Sequence, residues 1–363
     1  QKNMRVVVKI GTSSVTTSDG QVNAVAIEKL VSEVSEARKQ SHDLIVVTSG
    51  AITAGLERLG IDRPREPAIL QAVSAVGQID LMNVYSKLFL KAEIIAGQVL
   101  LSPNDFRDRS QYLHAKTTFE KLWELSVIPV VNENDAVADD AIRFGDNDRI
   151  AALVANLLDA DLLVLLTDTP GLLTADPRIH PQASLVEEVA EVTRSIEEMA
   201  GGVGERGSGG MASKLSAAKI ASWSGVRTVI AAASRENVLS DAISGVAGIG
   251  TLVAARDAHV SARKLWIGFA LPAQGSILVD LGAKTALLSK GTSLLAAGVI
   301  QVVGTFLEGD AIDITGPDGL VFAKGLSSVD STTLDQFKGR RTEELPGTVS
   351  PTFVHRDDLI VLS

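Results

Sequence analysis

Short runs rich in Val, Ile and Leu alternate with longer stretches of helical periodicity along the first two thirds of the chain. Residues 6–10, 43–48, 94–100, 127–131, 162–167 and 227–232 read as strands, and 24–40, 68–91, 111–125, 150–158 and 211–224 read as helices. Near-continuous apolar strands need cover on both faces, and the intervening helices supply it. The pattern predicts an α/β protein, an αβα sandwich with a mostly parallel central sheet.

After about residue 255 the pattern changes. A strand-like run remains at 263–270, but from Pro272 glycines recur every few residues between short alternating segments at 276–279, 299–303, 311–314 and 359–362. That spacing predicts a small β-rich domain of turns and short strands. The expected organisation is a first domain over 1–256, a linker over 257–274 and a second domain over 275–363.

Composition removes several classes. With 363 residues and 45% hydrophobic content, the chain can bury a sizeable core. It has no cysteine, which excludes disulfides, thiolate metal sites and a cysteine nucleophile and agrees with a reducing cytoplasm. The apolar stretch 150–166 is interrupted by Asp159 and Asp161, short of the roughly 18 uninterrupted apolar residues of a spanning helix. Residues 1–5 lead into a strand and not into the apolar region of a signal peptide. A net charge of −10 disfavours broad nucleic-acid affinity, which depends on Lys and Arg at phosphates. Small polar substrates fit better.

Candidate chemistry gathers at the ends of the predicted strands, where open α/β sheets bind ligands. Residues 131–153 hold five aspartates, one glutamate and three asparagines, including Asn132-Glu133-Asn134-Asp135 and Gly145-Asp146-Asn147-Asp148. The same residue types build ordinary turns. Lys9 stands in an apolar strand before Gly11, Thr12 and Ser13; buried there it needs an anionic partner such as phosphate, unless it bends out to solvent. Thr48-Ser49-Gly50-Ala51 closes one strand and opens a helix, so its N–H groups can hold an anion or Ser49 can simply cap the helix. Thr167 and Asp168 end another strand with acceptors suited to a ribose or purine edge. The glycine-rich stretch 201–210 runs into Met211-Ala212-Ser213-Lys214. It lacks the Walker A frame, and its GxGxxG match does not follow a strand. What remains is a loop feeding a helix N-terminus with Lys214 in the first turn, a grip for polyphosphate.

In chain order, VVVKIGTS, TSGAI, GQVLL, NENDAV, GDND, LLTD.PGL.T.DPR and GGM.SKL resemble the glutamate 5-kinases of the amino-acid kinase superfamily, which carry a C-terminal PUA domain; the resemblance covers essentially the whole chain. It implies the amino-acid kinase fold and ATP-dependent phosphorylation of the side-chain carboxylate of L-glutamate to L-glutamyl 5-phosphate, the first step of proline biosynthesis. ATP and Mg²⁺ are implied, as are proline as a feedback inhibitor and a homo-oligomer, dimer or tetramer. Another carboxylate kinase of the superfamily is the alternative, against which NENDAV with GDND speaks.

The resemblance also implies roles. Lys9, Lys214 and Asp148 would be catalytic, with Asp148 orienting the two lysines. Ser49, Asp135 and Asn147 would bind glutamate. Lys9, Thr167, Asp168, Ser208, Gly209, Gly210, Met211, Ala212, Ser213 and Lys214 would bind ATP, and no protein metal ligand is implied. Ser208 and Ala212 depart from the usual Thr and Ser, which removes contacts that backbone N–H groups can replace.

Physical chemistry agrees with this reading. Phosphoryl transfer needs positioning and positive charge around the phosphate oxygens, and a carboxylate is already ionised at pH 7 and needs no base. Asp135 suits the substrate's α-ammonium, and the amide side chains are expected to meet its carboxylates. An RNA-binding role for the second domain is the alternative of another class. Residues 275–363 hold seven Lys and Arg against eleven Asp and Glu, a balance that disfavours a phosphate-binding face.

Overall fold

The first strand of the sequence lies in the interior of the sheet it belongs to. A computed structural model describes residues 3–106, 108–137, 147–200, 210–257 and 260–362. The chain divides into two units, Gln1–His259 and Val260–Ser363. In the first unit the elements run β1 (Arg5–Ile10), α1 (Thr12–Val15), α2 (Ala24–Lys39), β2 (Asp43–Val47), α3 (Ala51–Leu59), α4 (Pro67–Lys91), β3 (Ile95–Leu101) and α5 (Arg109–Glu124). They continue with β4 (Val127–Glu133), α6 (Asn147–Leu157), β5 (Leu162–Thr167), β6 (Glu188–Val189), α7 (Arg194–Met199), α8 (Met211–Trp223), β7 (Arg227–Ala232), α9 (Val238–Ser244) and β8 (Thr251–Val253).

These strands form one sheet in the order β3-β4-β2-β1-β5-β7-β8-β6. Every pairing is parallel except that of β7 with β8. The alternation of the sequence therefore gives the expected mostly parallel sheet. β5 is buried at every position, and β1 and β2 from their second residue onward, as apolar runs covered on both faces require. β2 lies on one side of β1 and β5 on the other, so the chain reverses direction across the sheet at β1. Ligands of doubly wound sheets bind at such a point, beyond the carboxyl ends of the strands.

α3 and α4 cross there with almost no side chain between them. A Cβ on Gly77 would lie 1.8 Å from the Ala51 carbonyl oxygen, and one on Gly55 would lie 2.1 Å from the Val73 carbonyl oxygen. Backbone meets backbone, which fixes the start of α3 against α4. Ile52, Leu70 and Val73 close the contact as a small apolar cluster.

The second unit contains α10 (Ala262–Leu265), a π-helical turn (Trp266–Ala270), β9 (Gly275–Val279), α11 (Leu281–Lys290), β10 (Leu294–Leu295), β11 (Val299–Gly304), β12 (Ala311–Thr315), β13 (Val321–Leu326), α12 (Ser331–Phe337), β14 (Thr352–Val354) and β15 (Leu359–Val361). Five strands form a sheet in the order β11-β9-β12-β13-β15, and β10 pairs with β14. Ile277, Ile312, Ile314, Phe322 and Phe353 are among its buried core. The expected strand at 263–270 is corrected: the segment is helical. Its Ile, Phe and Trp favour strands in isolation, but the segment packs against β13 and β15 of its own unit, burying Leu265, Trp266 and Ile267. Tertiary packing overrides the local preference.

Candidate active site

Lys9 is the penultimate residue of apolar strand β1, Asp148 comes from the first turn of α6 and Lys214 from the first turn of α8. All three are buried, at 1%, 0% and 3% exposure. Lys9 Nζ lies 2.7 Å from Asp148 Oδ1, and Lys214 Nζ lies 3.1 Å from Asp148 Oδ2. Ser213 Oγ donates to the same Oδ2 at 2.9 Å. Burial alone would push the Asp148 carboxyl up. The ammonium charges of Lys9 and Lys214, with hydrogen bonds from Lys9 and Ser213, outweigh it and hold the group below its ordinary range.

An aspartate in the first turn of a helix is favoured by the helix dipole, whereas a lysine there is not. Lys214 therefore depends on anions for its place. Asp148 supplies one, and the three side chains together still carry one positive charge in excess. The sequence reading brought these residues together, and the structure does the same. Solvent escape for Lys9 is ruled out by its burial.

A second group surrounds the end of β2. Gly50 takes a left-handed backbone, φ 101°, and stands at the N-cap of α3 with no side-chain cap. Ser49 is thus not a helix cap; its hydroxyl donates to the Ile10 carbonyl at 3.2 Å. Tyr85 of α4, fully buried, donates to Thr48 Oγ1 at 2.9 Å, and burial raises its own pKa.

Asn147 ties this corner to β4. Its Nδ2 donates to the Thr48 carbonyl at 2.6 Å and to Asn132 Oδ1 at 2.6 Å. Asn132 Oδ1 also accepts the Glu133 backbone N–H at 2.9 Å, and Asn132 Nδ2 donates to Gln78 Oε1 at 2.7 Å. A carbonyl at one end and a backbone N–H in the middle fix the direction of every amide in the chain. Both Asn147 hydrogens are consumed, and its buried Oδ1 has no hydrogen-bond partner. The amide expected at a substrate carboxylate thus has its donors engaged and presents an acceptor, which suits a donor such as an ammonium.

Asp135 presents another acceptor. It is 8% exposed, and its Oδ1 is buried without a partner. Burial raises its carboxyl to about 6. It lines a pocket of about 260 Å³ with Gln78, Gln98, Glu133 and Asn134.

The residues expected at the nucleotide lie at the end of β5 and the start of α8. Thr167 is buried and donates to Asp168 Oδ1 at 3.1 Å; Asp168 is exposed. Gly210 caps α8, and the Met211, Ala212 and Ser213 N–H groups precede the first intrahelical bond, Lys214 N–H to the Gly210 carbonyl. Ser208, Gly209, Gly145 and Asp146 lie outside the described residues. Among the described residues, no group of three or more His, Asp or Glu side chains could hold a metal ion.

The sequence reading gave no individual role to Tyr85, Gln78 or Asn132, and read Thr48 only as part of a strand end whose N–H groups could hold an anion. Asn132 stood in the block of short polar residues, a signal that singled it out without direction. Nothing in the local pattern around Gln78 or Tyr85, both on a long helix, announces their partners.

The sheet and its order are those of the amino acid kinase fold. The model described as Amino acid kinase family matches residues 4–232, and the PUA domain model matches residues 275–347. A carbamate kinase from Giardia lamblia, solved with AMP-PNP bound, shares the fold: its TM-score is 0.51 at 14% identity, over 70% of this chain and 99% of that one. Glutamate 5-kinase of Burkholderia lata is 42% identical over 99% of this chain and 98% of its own length, and that of Deinococcus radiodurans is 42% identical over 99% and 100%. The chain belongs to the glutamate 5-kinase family.

Proposed function

We propose that the chain transfers the γ-phosphoryl group of ATP to the side-chain carboxylate of L-glutamate, giving L-glutamyl 5-phosphate and ADP, as the first step of proline biosynthesis. The observation that carries this is the pair of buried ammonium groups on one carboxylate. Lys9 and Lys214 would stabilise charge on the transferred phosphoryl group, with Asp148 holding them in register. Such transfer asks little covalent work of a protein and much electrostatic positioning.

The substrate's ammonium would lie with the acceptors of Asp135 and Asn147, and Ser49 would border the amino acid. Thr167, Asp168, residues 208–209 and Gly210 to Lys214 would hold the nucleotide, with the first-turn N–H groups of α8 turned to phosphate. A protein-built Mg²⁺ cage does not fit the described residues, because Asp148 is already committed to two lysines. The nucleotide is therefore taken as MgATP.

The test is ADP release with L-glutamate, L-aspartate, N-acetyl-L-glutamate and carbamate, with hydroxylamine trapping of the acyl phosphate. Glutamate-dependent ADP and a glutamyl hydroxamate are expected. Turnover with another acceptor and none with glutamate would overturn the reading.

No helix among the described residues is long and apolar enough to cross a membrane, and we place the enzyme in the cytoplasm. The second domain is assigned a regulatory or structural role, with proline as the inhibitor to be tried first. A homo-oligomer is supported by Ile69, Ile79 and Leu90, exposed at 39%, 66% and 68% on α4. Light scattering after gel filtration measures it.

A further inference from the structure

Gln78 stands outside every residue assigned above to substrate, yet it carries a buried donor at the Asp135 pocket. Its Oε1 accepts from Asn132 Nδ2 at 2.7 Å, and its Nε2 is buried with no hydrogen-bond partner. The amide cannot turn over without setting two N–H groups against each other, because Asn132 is itself fixed by the Glu133 backbone N–H. Gln78 lines the pocket of about 260 Å³ together with Asp135. Two residues that line one pocket thus each hold a buried, unsatisfied polar atom, a donor on Gln78 and an acceptor on Asp135. Leaving such groups unpaired costs free energy that a ligand of matching pattern recovers.

The other lining groups sharpen the assignment. Ser74 has spent its hydroxyl on the Gln71 carbonyl at 2.7 Å. Glu133 and Asp135 add carboxylates to the same pocket. An anionic ligand group here requires a donor beside it, and among the lining side chains Gln78 supplies the buried one.

We propose that Gln78 is a specificity residue that donates to the α-carboxylate of the amino-acid substrate while Asp135 takes its α-ammonium. This rests on the reading of the chain as a glutamate kinase. The pocket then recognises the zwitterionic head common to α-amino acids, and the side-chain carboxylate is left for phosphorylation. Selection for the head comes from hydrogen-bond sense: a site that presents a fixed donor favours an acceptor and leaves an unpaired group against anything else.

The test is a change of selectivity. Gln78→Glu keeps the shape and the bond from Asn132 but replaces the donor by an acceptor. The parent and the variant are assayed at pH 8 with L-glutamate and with L-glutamic acid α-amide, whose side-chain carboxylate is intact and whose head carries N–H groups. The ratio of kcat/KM for glutamate to that for the α-amide is expected to fall by about tenfold or more in the variant, the equivalent of one charge-assisted bond, with the KM of MgATP unchanged. If Gln78→Glu fails to fold, Gln78→Met is measured instead and should lose about tenfold in kcat/KM for glutamate at unchanged KM for MgATP. A parent active on glutamate with an unaltered ratio in Gln78→Glu, or unaltered glutamate kinetics in Gln78→Met, overturns the role of Gln78 alone. A parent with no activity on glutamate overturns the functional reading, and this assignment with it.

Discussion

Lys9 and Asp148 meet at 2.7 Å, Nζ to Oδ1, with both side chains almost wholly removed from water. A strand lysine and a helix-start aspartate from distant parts of the chain thus form a pair to which Lys214 adds a second ammonium. Removing different members of this cluster should have different consequences.

Lys214→Ala is expected to lower kcat by about a hundredfold or more, the usual worth of a preorganised charge at a transition state, with an unchanged circular dichroism spectrum. Asp148→Asn leaves two buried ammonium groups uncompensated and should also cost about 3–5 kcal/mol of stability, read from denaturant unfolding without nucleotide. Lys214→Ala with parental kcat would remove that lysine from the chemistry.

Asp135 couples function to stability with opposite signs. Its folded carboxyl titrates at about 6 because it is buried, against about 3.9 for a free aspartate. Between these values the folded state holds the proton more strongly than the unfolded state. Its contribution to stability is therefore present below about pH 4 and is lost as pH rises through 6. Asp135→Asn should raise the melting temperature at pH 8 relative to the parent and leave it nearly unchanged at pH 4.

The same titration governs substrate. An ionised Asp135 is the form that accepts an ammonium, so kcat/KM for glutamate in the parent should rise as pH rises through about 6. In Asp135→Asn that rise should vanish, and the glutamate KM at pH 8 should increase by about tenfold or more while the MgATP KM holds. A shift in MgATP KM instead would reverse the map of the two subsites.

Gly77→Ala should destabilise strongly, because the new methyl would lie 1.8 Å from the Ala51 carbonyl oxygen and backbone cannot step aside as a side chain can. The expected loss is about 1–3 kcal/mol or more for overpacking of this kind, with a rise in glutamate KM because Ala51 adjoins the Ser49-Gly50 corner. Lys87→Ala, exposed on the same helix, should change stability by less than about 0.5 kcal/mol.

Residues 1–259 alone should fold and retain glutamate-dependent ADP formation, since every residue assigned to chemistry lies in that unit. The cut belongs before Val260 and not after Pro272, because the helical segment 262–270 packs on the strands of the second unit. A soluble fragment with native-like circular dichroism and no turnover would give the second unit a part in catalysis.

Much of this was legible in the sequence, for identifiable reasons. The strands of the first unit are written as short apolar runs because both their faces are covered, and β5 could be read to the residue. Lys9 announced itself as a charge in an apolar strand, and Lys214 as a lysine at the helix start that follows a glycine-rich loop. β8 was missed, since three residues at 251–253 give no period. α11 and α12 were hidden among glycines and short alternations that speak for strands. The amide chain from Thr48 through Asn147 and Asn132 to Gln78 was illegible for a different reason. Its direction is set by one carbonyl and one backbone N–H, and no side-chain identity encodes which hydrogens are spent.

The placement of β1 between β2 and β5 also sets a schedule for synthesis. Once made, β1 acquires its β2 neighbour soon after, but its other edge stays open until α4, α5 and α6 have all been translated and β5 follows. For that interval the nascent chain exposes an unpaired edge of Val6, Val7 and Val8, the kind of surface that seeks other strands. Loop closure across so long a span makes the central pairing a late event. Folding yield should therefore depend on how well that half-built sheet is shielded while the ribosome is still at work.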